Sequence, residues 1–184
     1  MTSSMFRSTD NSSINPAELN QSTSKLLAKF LLLQGSETIN KGTSYEIADT
    51  DSNAMDKQIR KFSLTNDIIK RPRKENKEGF RYEVIDSTHR LGKGGEGVVL
   101  KSLGVLIISS GDVFFKEKPR AVKEHFNRNS AYNEYKHSKR IEHLSVKPVA
   151  CLGWTSNPKA RHTGTKQYRY FIAMNLIAGV NLYP

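Results

Sequence analysis

The stretch Gly92-Lys93-Gly94-Gly95-Glu96-Gly97 does most to limit what this chain can form. Each glycine inside a helix costs about 1 kcal/mol relative to alanine, so a helix through this cluster is excluded. Phe80, Tyr82, Val84 and Ile85 precede it, and Val98, Val99 and Leu100 follow it. Aromatic and β-branched runs of this kind favour strands. The expected arrangement is strand, glycine loop, strand. Glycine lets a backbone approach a ligand closely, and its N–H groups become donors, so the loop suits a phosphate-bearing ligand.

Residues 92–99 fit G-x-G-x-x-G-x-V, a pattern shared by several nucleotide-binding loops. In a dinucleotide fold the last glycine opens a helix, whereas Gly97 leads into Val98-Val99-Leu100. The Walker A pattern fails because no Gly-Lys-Ser/Thr is present. Further along, Val105 to Ile108 is apolar, Ser109-Ser110-Gly111-Asp112 reads as a turn, and Val113 to Phe115 and Ala121-Val122 read as strand. Asn129 to His143 has helical spacing, with Ser130 as a plausible N-cap. Val149 to Trp154 and Tyr168 to Leu176 complete a β-β-β-α-β-β order, and residues 155–166 form a basic loop between them.

Arg120-Ala121-Val122-Lys123 carries a lysine on the third expected strand, and Glu134 lies on the following helix, with Glu142 as the other candidate. Tyr170 to Gly179 reads as a strand running into a turn. Together these resemble the N-terminal lobe of the eukaryotic-like protein kinase family over about residues 80–184. The resemblance implies an α+β fold, with a five-stranded antiparallel sheet and one αC-type helix. It implies ATP as ligand, with Mg²⁺ arriving only with the nucleotide. Gly92, Gly94 and Gly97 would cover the phosphates, and Lys123 held by Glu134 would meet them. Val99 and Ala121 would sandwich the adenine, with Met174 behind as gatekeeper. The backbones of Asn175 and Ile177 would hydrogen-bond it, and Asn181 would lie near the ribose. Two spacings depart from the family. Val99 and Lys123 are 24 residues apart, and Lys123 and Glu134 only 11.

Phosphoryl transfer also needs a catalytic-loop Asp, a metal-binding Asn and a D-F-G Asp. The last aspartate here is Asp112, so no catalytic residue is assigned and phosphotransfer is expected only if a C-lobe is supplied. The favoured function is the ATP-binding lobe of a protein kinase, of Ser/Thr rather than Tyr type. One alternative is a non-catalytic protein-binding module or kinase remnant. The other is a basic nucleic-acid-binding module using Lys70 to Lys77 and Lys159 to Lys166, which sparse interleaving with aromatic residues disfavours. A protein partner or the missing C-lobe is therefore the expected macromolecular contact.

Residues 1–79 have a different texture and are read as an N-terminal extension and linker. Ser, Thr, Asn and Gln supply 14 of the first 24 residues, a composition that predicts mobility. A helix is expected near 16–34, with Asn15 as N-cap, Pro16 at its first position and Gly35 as its stop. Its apolar stretch Leu26 to Leu33 should dock on the domain, with a partner or membrane surface as the alternative. A short helix around Asp56 to Phe62 is possible in otherwise weakly patterned sequence. The basic segment 70–78, with Pro72, reads as a solvated connector at the domain boundary rather than an import or nucleic-acid patch.

Charge and cysteine content narrow the function classes. Residues 1–80 carry a net +2 and residues 81–184 a net +9, so the second part favours an anionic ligand. One cysteine, Cys151, excludes an internal disulfide framework and a cysteine-based zinc site. The five histidines lack chelating spacing, and no metal site is expected. No run approaches the ~20 apolar residues of a transmembrane helix, and no signal peptide is framed. A cytoplasmic location is expected, with signal-less secretion as an effector the alternative.

Overall fold

The structure is a computed structural model, and it describes residues 8–34, 38–49, 58–71, 80–95, 97–138, 149–152 and 168–176. These residues form an α+β fold in which strands dominate, with ten strands and two helices. A seven-stranded antiparallel sheet contains β2 (Thr38–Ile39), β5 (Asp67–Lys70), β6 (Arg81–Gly94), β7 (Gly97–Ser109), β8 (Asp112–His125), β9 (Val149–Leu152) and β10 (Tyr168–Asn175). Their order across it is β2-β5-β6-β7-β8-β10-β9. A smaller sheet, ordered β1-β4-β3, joins β1 (Ser8–Ile14), β4 (Gln58–Leu64) and β3 (Tyr45–Asp49). Helix α1 spans Gln21–Gln34 and α2 spans Arg128–Ser138.

Five strands of the large sheet, β6 to β10, come from residues 80–184 with α2 between β8 and β9. The other two come from the N-terminal segment, so the sheet has seven strands rather than five. β5 pairs with β6 from Asp67↔Ile85 to Lys70↔Tyr82, and the Arg71 N–H continues the ladder to the Arg81 carbonyl at 2.8 Å. The backbone pairing thus crosses the sequence position read as a connector. Residues 72–79 themselves lie outside the described residues.

Several local expectations change. Residues 8–14, read as mobile because they are polar, form β1 and pair with β4 in parallel. Gln58 to Leu64 is a strand, not the helix expected around 56–62. Phe62 and Leu64 alternate toward the core, and β1 and β3 flank them on both sides. The first helix starts at Gln21, because Asn20 is its cap. The Asn20 side chain accepts the Thr23 N–H at 2.9 Å while Thr23 Oγ1 accepts the Asn20 N–H at 3.0 Å. Asn15 and Pro16 instead belong to a separate turn closed by the Glu18 N–H on the Asn15 carbonyl. Helix α2 is capped by Asn127, whose side chain accepts the Asn129 N–H at 2.7 Å, so Ser130 sits inside the helix. The stop at Gly35 and the end of the second helix to His143 lie outside the described residues.

The long β7–β8 hairpin accounts for the wide spacing between Val99 and Lys123. Ser110 and Gly111 both take positive φ, at 52° and 80°, the conformation that a two-residue hairpin turn demands. The register shifts once, between the pairs Gly104↔Glu117 and Ser102↔Arg120. The extra residues there, Lys118 and Pro119, form a bulge, a place where proline's missing N–H costs no ladder bond.

Alternation along these strands divides the large sheet into two faces. Ile68, Tyr82, Val84, Leu106, Ile108 and Val113 meet α1 and the small sheet in the main core. Phe30 of α1 packs edge-on to Phe62 at 4.9 Å and tilted to Tyr45 at 5.1 Å, which ties the helix to the small sheet. Ser24 ties the same helix to β8. Its hydroxyl donates to the Val113 carbonyl at 2.8 Å and accepts the Val113 N–H at 3.0 Å. β10 pairs with β8 only from Arg120 onward, so this side chain serves the backbone groups of β8 where no strand reaches them. Ile69, Ile85, Val98, Leu100, Val122, Phe171 and Ala173 form a second cluster on the opposite face.

A buried Val113 peptide left without its hydroxyl partner loses two bonds at once. Ser24→Ala is expected to destabilise the fold by about 1–3 kcal/mol. Urea unfolding followed by circular dichroism would measure it, and a loss under about 0.3 kcal/mol would mean water replaces the hydroxyl.

Candidate functional site

Three rows of directly paired residues bring the sequence-selected positions together. Val99 pairs with Lys123, and Lys123 with Ile172. Lys101 pairs with Ala121, and Ala121 with Met174. Gly97 pairs with His125, and His125 with Tyr170. Paired residues project from the same face of a sheet, so Val99, Ala121, Lys123 and Met174 share one face. All four are partly accessible, while their neighbours Val98, Leu100, Val122 and Ala173 are buried on the other.

Helix α2 packs against β8 and β10 and delivers Glu134 to this face. Lys123 Nζ donates to Glu134 Oε2 at 2.5 Å, with both side chains 24% exposed. The short 11-residue separation is spanned because the chain leaves β8 at His125 and enters the helix at Arg128 after a two-residue bend. Glu142, the other sequence candidate, lies outside the described residues. Asn175 ends β10 and is exposed. Ile177 and Asn181 also lie outside the described residues.

The glycine loop is the tip of the β6–β7 hairpin, closed by the pair Gly94↔Gly97. Its glycines are of two kinds. A Cβ on Gly97 would overlap the Glu124 carbonyl of β8, so packing alone demands glycine there. A Cβ on Gly92, Gly94 or Gly95 would meet nothing within 4 Å, and none of the three has a positive φ. Neither sterics nor backbone conformation within the described residues explains glycine at these three positions. They leave an uncovered strip of backbone with room for an approaching group, the kind of surface that a polyphosphate can use.

The base of this hairpin is irregular, with register shifts on both sides of Arg90. Asp86 organises it. One carboxylate oxygen accepts the Thr88 N–H at 3.1 Å and the Thr88 hydroxyl at 2.5 Å, and the other meets His89 Nδ1 at 2.6 Å. Burial would raise the Asp86 pKa. The bonds from Thr88 and His89 outweigh it and hold the carboxyl below its ordinary value.

Sequence reasoning missed two groups beside this face. His125 is fully buried, and its Nε2 lies 3.1 Å from the same Glu134 oxygen that holds Lys123. Glu83 of β6 is fully buried on the opposite face, next to Arg71 Nε at 3.2 Å and Arg120 Nη1 at 3.3 Å, and accepts the Ser102 hydroxyl at 2.6 Å. Burial lowers the Arg71 pKa and the Glu83 carboxylate opposes that shift. Charged residues in strand sequences signal solvent exposure, so no local pattern marks this cluster.

No protein-family model, curated protein or solved structure matches the chain. No helix among the described residues is long and apolar enough to cross a membrane, and no cluster of His, Cys, Asp or Glu among them could hold a metal ion.

Two outcomes are expected. Gly97→Ala should destabilise the fold by about 1–3 kcal/mol, while Gly94→Ala should leave stability unchanged or slightly raised, as read by thermal unfolding. Equal effects would mean that the loop's conformation differs from the one described. The depressed Asp86 carboxyl contributes stability above its unfolded pKa and loses it as pH falls through the lower folded value. The gap in stability between wild type and Asp86→Asn should therefore close as pH is lowered from about 6 to about 2. A pH-independent gap in chemical denaturation would argue against this role.

Proposed function

We propose that residues 80–184 are a nucleotide-binding lobe of protein-kinase type that takes ATP. The observation that carries this reading is the Lys123–Glu134 ion pair, a third-strand lysine held by the carboxylate of the next helix on the face shared with Val99, Ala121 and Met174. In kinase chemistry such a lysine meets the α- and β-phosphates, and the glutamate keeps it from swinging away. The free space over Gly92, Gly94 and Gly95 supports the phosphates' approach. Val99, Ala121 and Met174 supply an apolar surface of the kind that an adenine ring stacks on.

The roles divide by chemistry. The glycine-strip N–H groups would accept the phosphate charge, Lys123 would neutralise it, and Glu134 would orient Lys123. Asn175 lies at the end of the same strand as Met174, where its backbone is available to a base edge. Mg²⁺ would come with the nucleotide and compensate part of its charge. Moving the γ-phosphate to a Ser or Thr of a protein would require the base and metal-binding acids of a second lobe.

The test is differential scanning fluorimetry with ATP, ADP and inorganic tripolyphosphate, each with Mg²⁺. At about ten times its Kd a ligand adds roughly 1.4 kcal/mol of apparent stability, which for a chain of this size raises Tm by about 4 °C. ATP and ADP are expected to produce that shift, and Lys123→Ala to weaken binding about tenfold or more. No shift at millimolar nucleotide would overturn the reading. An equal shift from tripolyphosphate would reduce it to an anion site without adenine recognition.

A further inference from the structure

The group nearest the Lys123–Glu134 pair is one that the nucleotide reading does not use. His125 follows Lys123 by two residues on β8, so both project from the same face of the sheet. It occupies the row Gly97–His125–Tyr170, between the last glycine of the loop and β10. Its ring is fully buried, and its Nε2 stands 3.1 Å from Glu134 Oε2. That oxygen therefore faces two nitrogens from one strand, Lys123 Nζ at 2.5 Å and His125 Nε2 at 3.1 Å. The imidazole contact is close but off the axis of a hydrogen bond, so it acts through charge and dipole.

Burying a histidine beside a carboxylate costs desolvation that an apolar side chain would avoid. Gly97 adds no side chain to the row, which leaves the imidazole on β8 as the only side chain between the loop's end and Tyr170. We infer that His125 is a positioning residue, which holds the Glu134 carboxylate from a second side and thereby fixes Lys123. A carboxylate held at one point can pivot about that contact. Held at two, it keeps one oxygen on β8 while α2 stays docked. Lys123 then presents its ammonium to the face shared with Val99, rather than following the helix.

What Lys123 serves rests on the nucleotide-binding reading, whereas the hold on Glu134 does not, and two measurements separate them. The variants are His125→Gln, whose amide nitrogen reaches as far as Nε2, and His125→Asn, whose amide falls short. Both are neutral and hydrogen-bonding, so a general loss of packing affects them alike. The first measurement is the chemical shift of the Glu134 carboxyl carbon by NMR of the full chain. His125→Gln should keep the wild-type shift and His125→Asn should move it. The second is Mg-ATP affinity by calorimetry. His125→Asn should weaken it about fivefold, the scale of one charged hydrogen bond lost at one remove, and His125→Gln should restore most of it. In the Lys123→Ala background the same His125→Asn change should have no further effect on affinity, because His125 acts through Lys123.

The inference is overturned if the two amides give the same carboxyl shift, or if His125→Asn weakens binding equally with and without Lys123. Absence of any ATP binding by the wild type would overturn the nucleotide reading and leave the carboxyl shift to decide the role of His125.

Discussion

The arrangement depends on the register of β8, and a buried carboxylate pins it. β8 is 14 residues long and carries a bulge at Lys118-Pro119. Beyond a bulge, alternation restarts, and a slip of one residue would turn every later side chain to the other face. Arg120 is the first residue past the bulge, and it lies beside Glu83, which also meets Arg71 and Ser102. These contacts bind β6, β7, β8 and the end of β5 at one point. With Arg120 fixed on that face, Ala121, Lys123 and His125 must project from the other. Removing one partner of such a buried cluster leaves a charge uncompensated, at a cost of about 3–5 kcal/mol. The cluster thus secures specificity of register more than net stability, and the lysine's direction follows from it.

The N-terminal segment belongs to the same logic. Arg71 comes from it, as do β5, which extends the sheet past β6, and α1, whose Ser24 serves the first half of β8. A strand as long as β8 would otherwise expose Val113 and its neighbours along an unpaired edge, which invites association with other chains. Covering that edge with a helix and extending the sheet with β5 and β2 secures the hairpins that carry the site. Residues 80–176 therefore draw their rigidity from residues before 72. The short reach from Lys123 to Glu134 works because β8 is fixed up to His125, so two bend residues suffice to launch α2.

How much of this the sequence shows depends on the range of the forces involved. The glycine hairpin, the turn at Ser110-Gly111 and the strand character of 98–122 are visible because glycine conformation and β-branching act locally. The pairing of Lys123 with Glu134 is visible only through resemblance, since 11 residues and a helix separate them. Strands β1 and β4 are hidden because their polar residues pair across long distances, where ladder bonds rather than side-chain propensity decide. The caps at Asn20 and Asn127 compete with equally good candidates at Asn15 and Ser130, and only tertiary docking selects among them. Glu83, Arg71 and His125 are invisible in sequence for a related reason. Each is a charged or polar residue in an ordinary strand, and its value comes from partners brought by distant segments.

The glycines separate two demands that a motif pattern merges. Gly97 is required by the fold, because β8 approaches it too closely for any side chain. Gly92, Gly94 and Gly95 are not required by anything within the described residues, since a side chain at each would stand in open space. Glycine loses more conformational freedom on folding than any other residue, so three of them carry a cost in stability with no internal return. The compensation has to come from outside the chain, through a group that must approach the backbone itself. A bare strip of N–H groups, one strand away from a lysine whose carboxylate partner is gripped twice, constrains that group to be anionic and extended. The loop and the lysine are thus two ends of one surface, and His125, placed between Gly97 and Glu134, is the side chain that joins them.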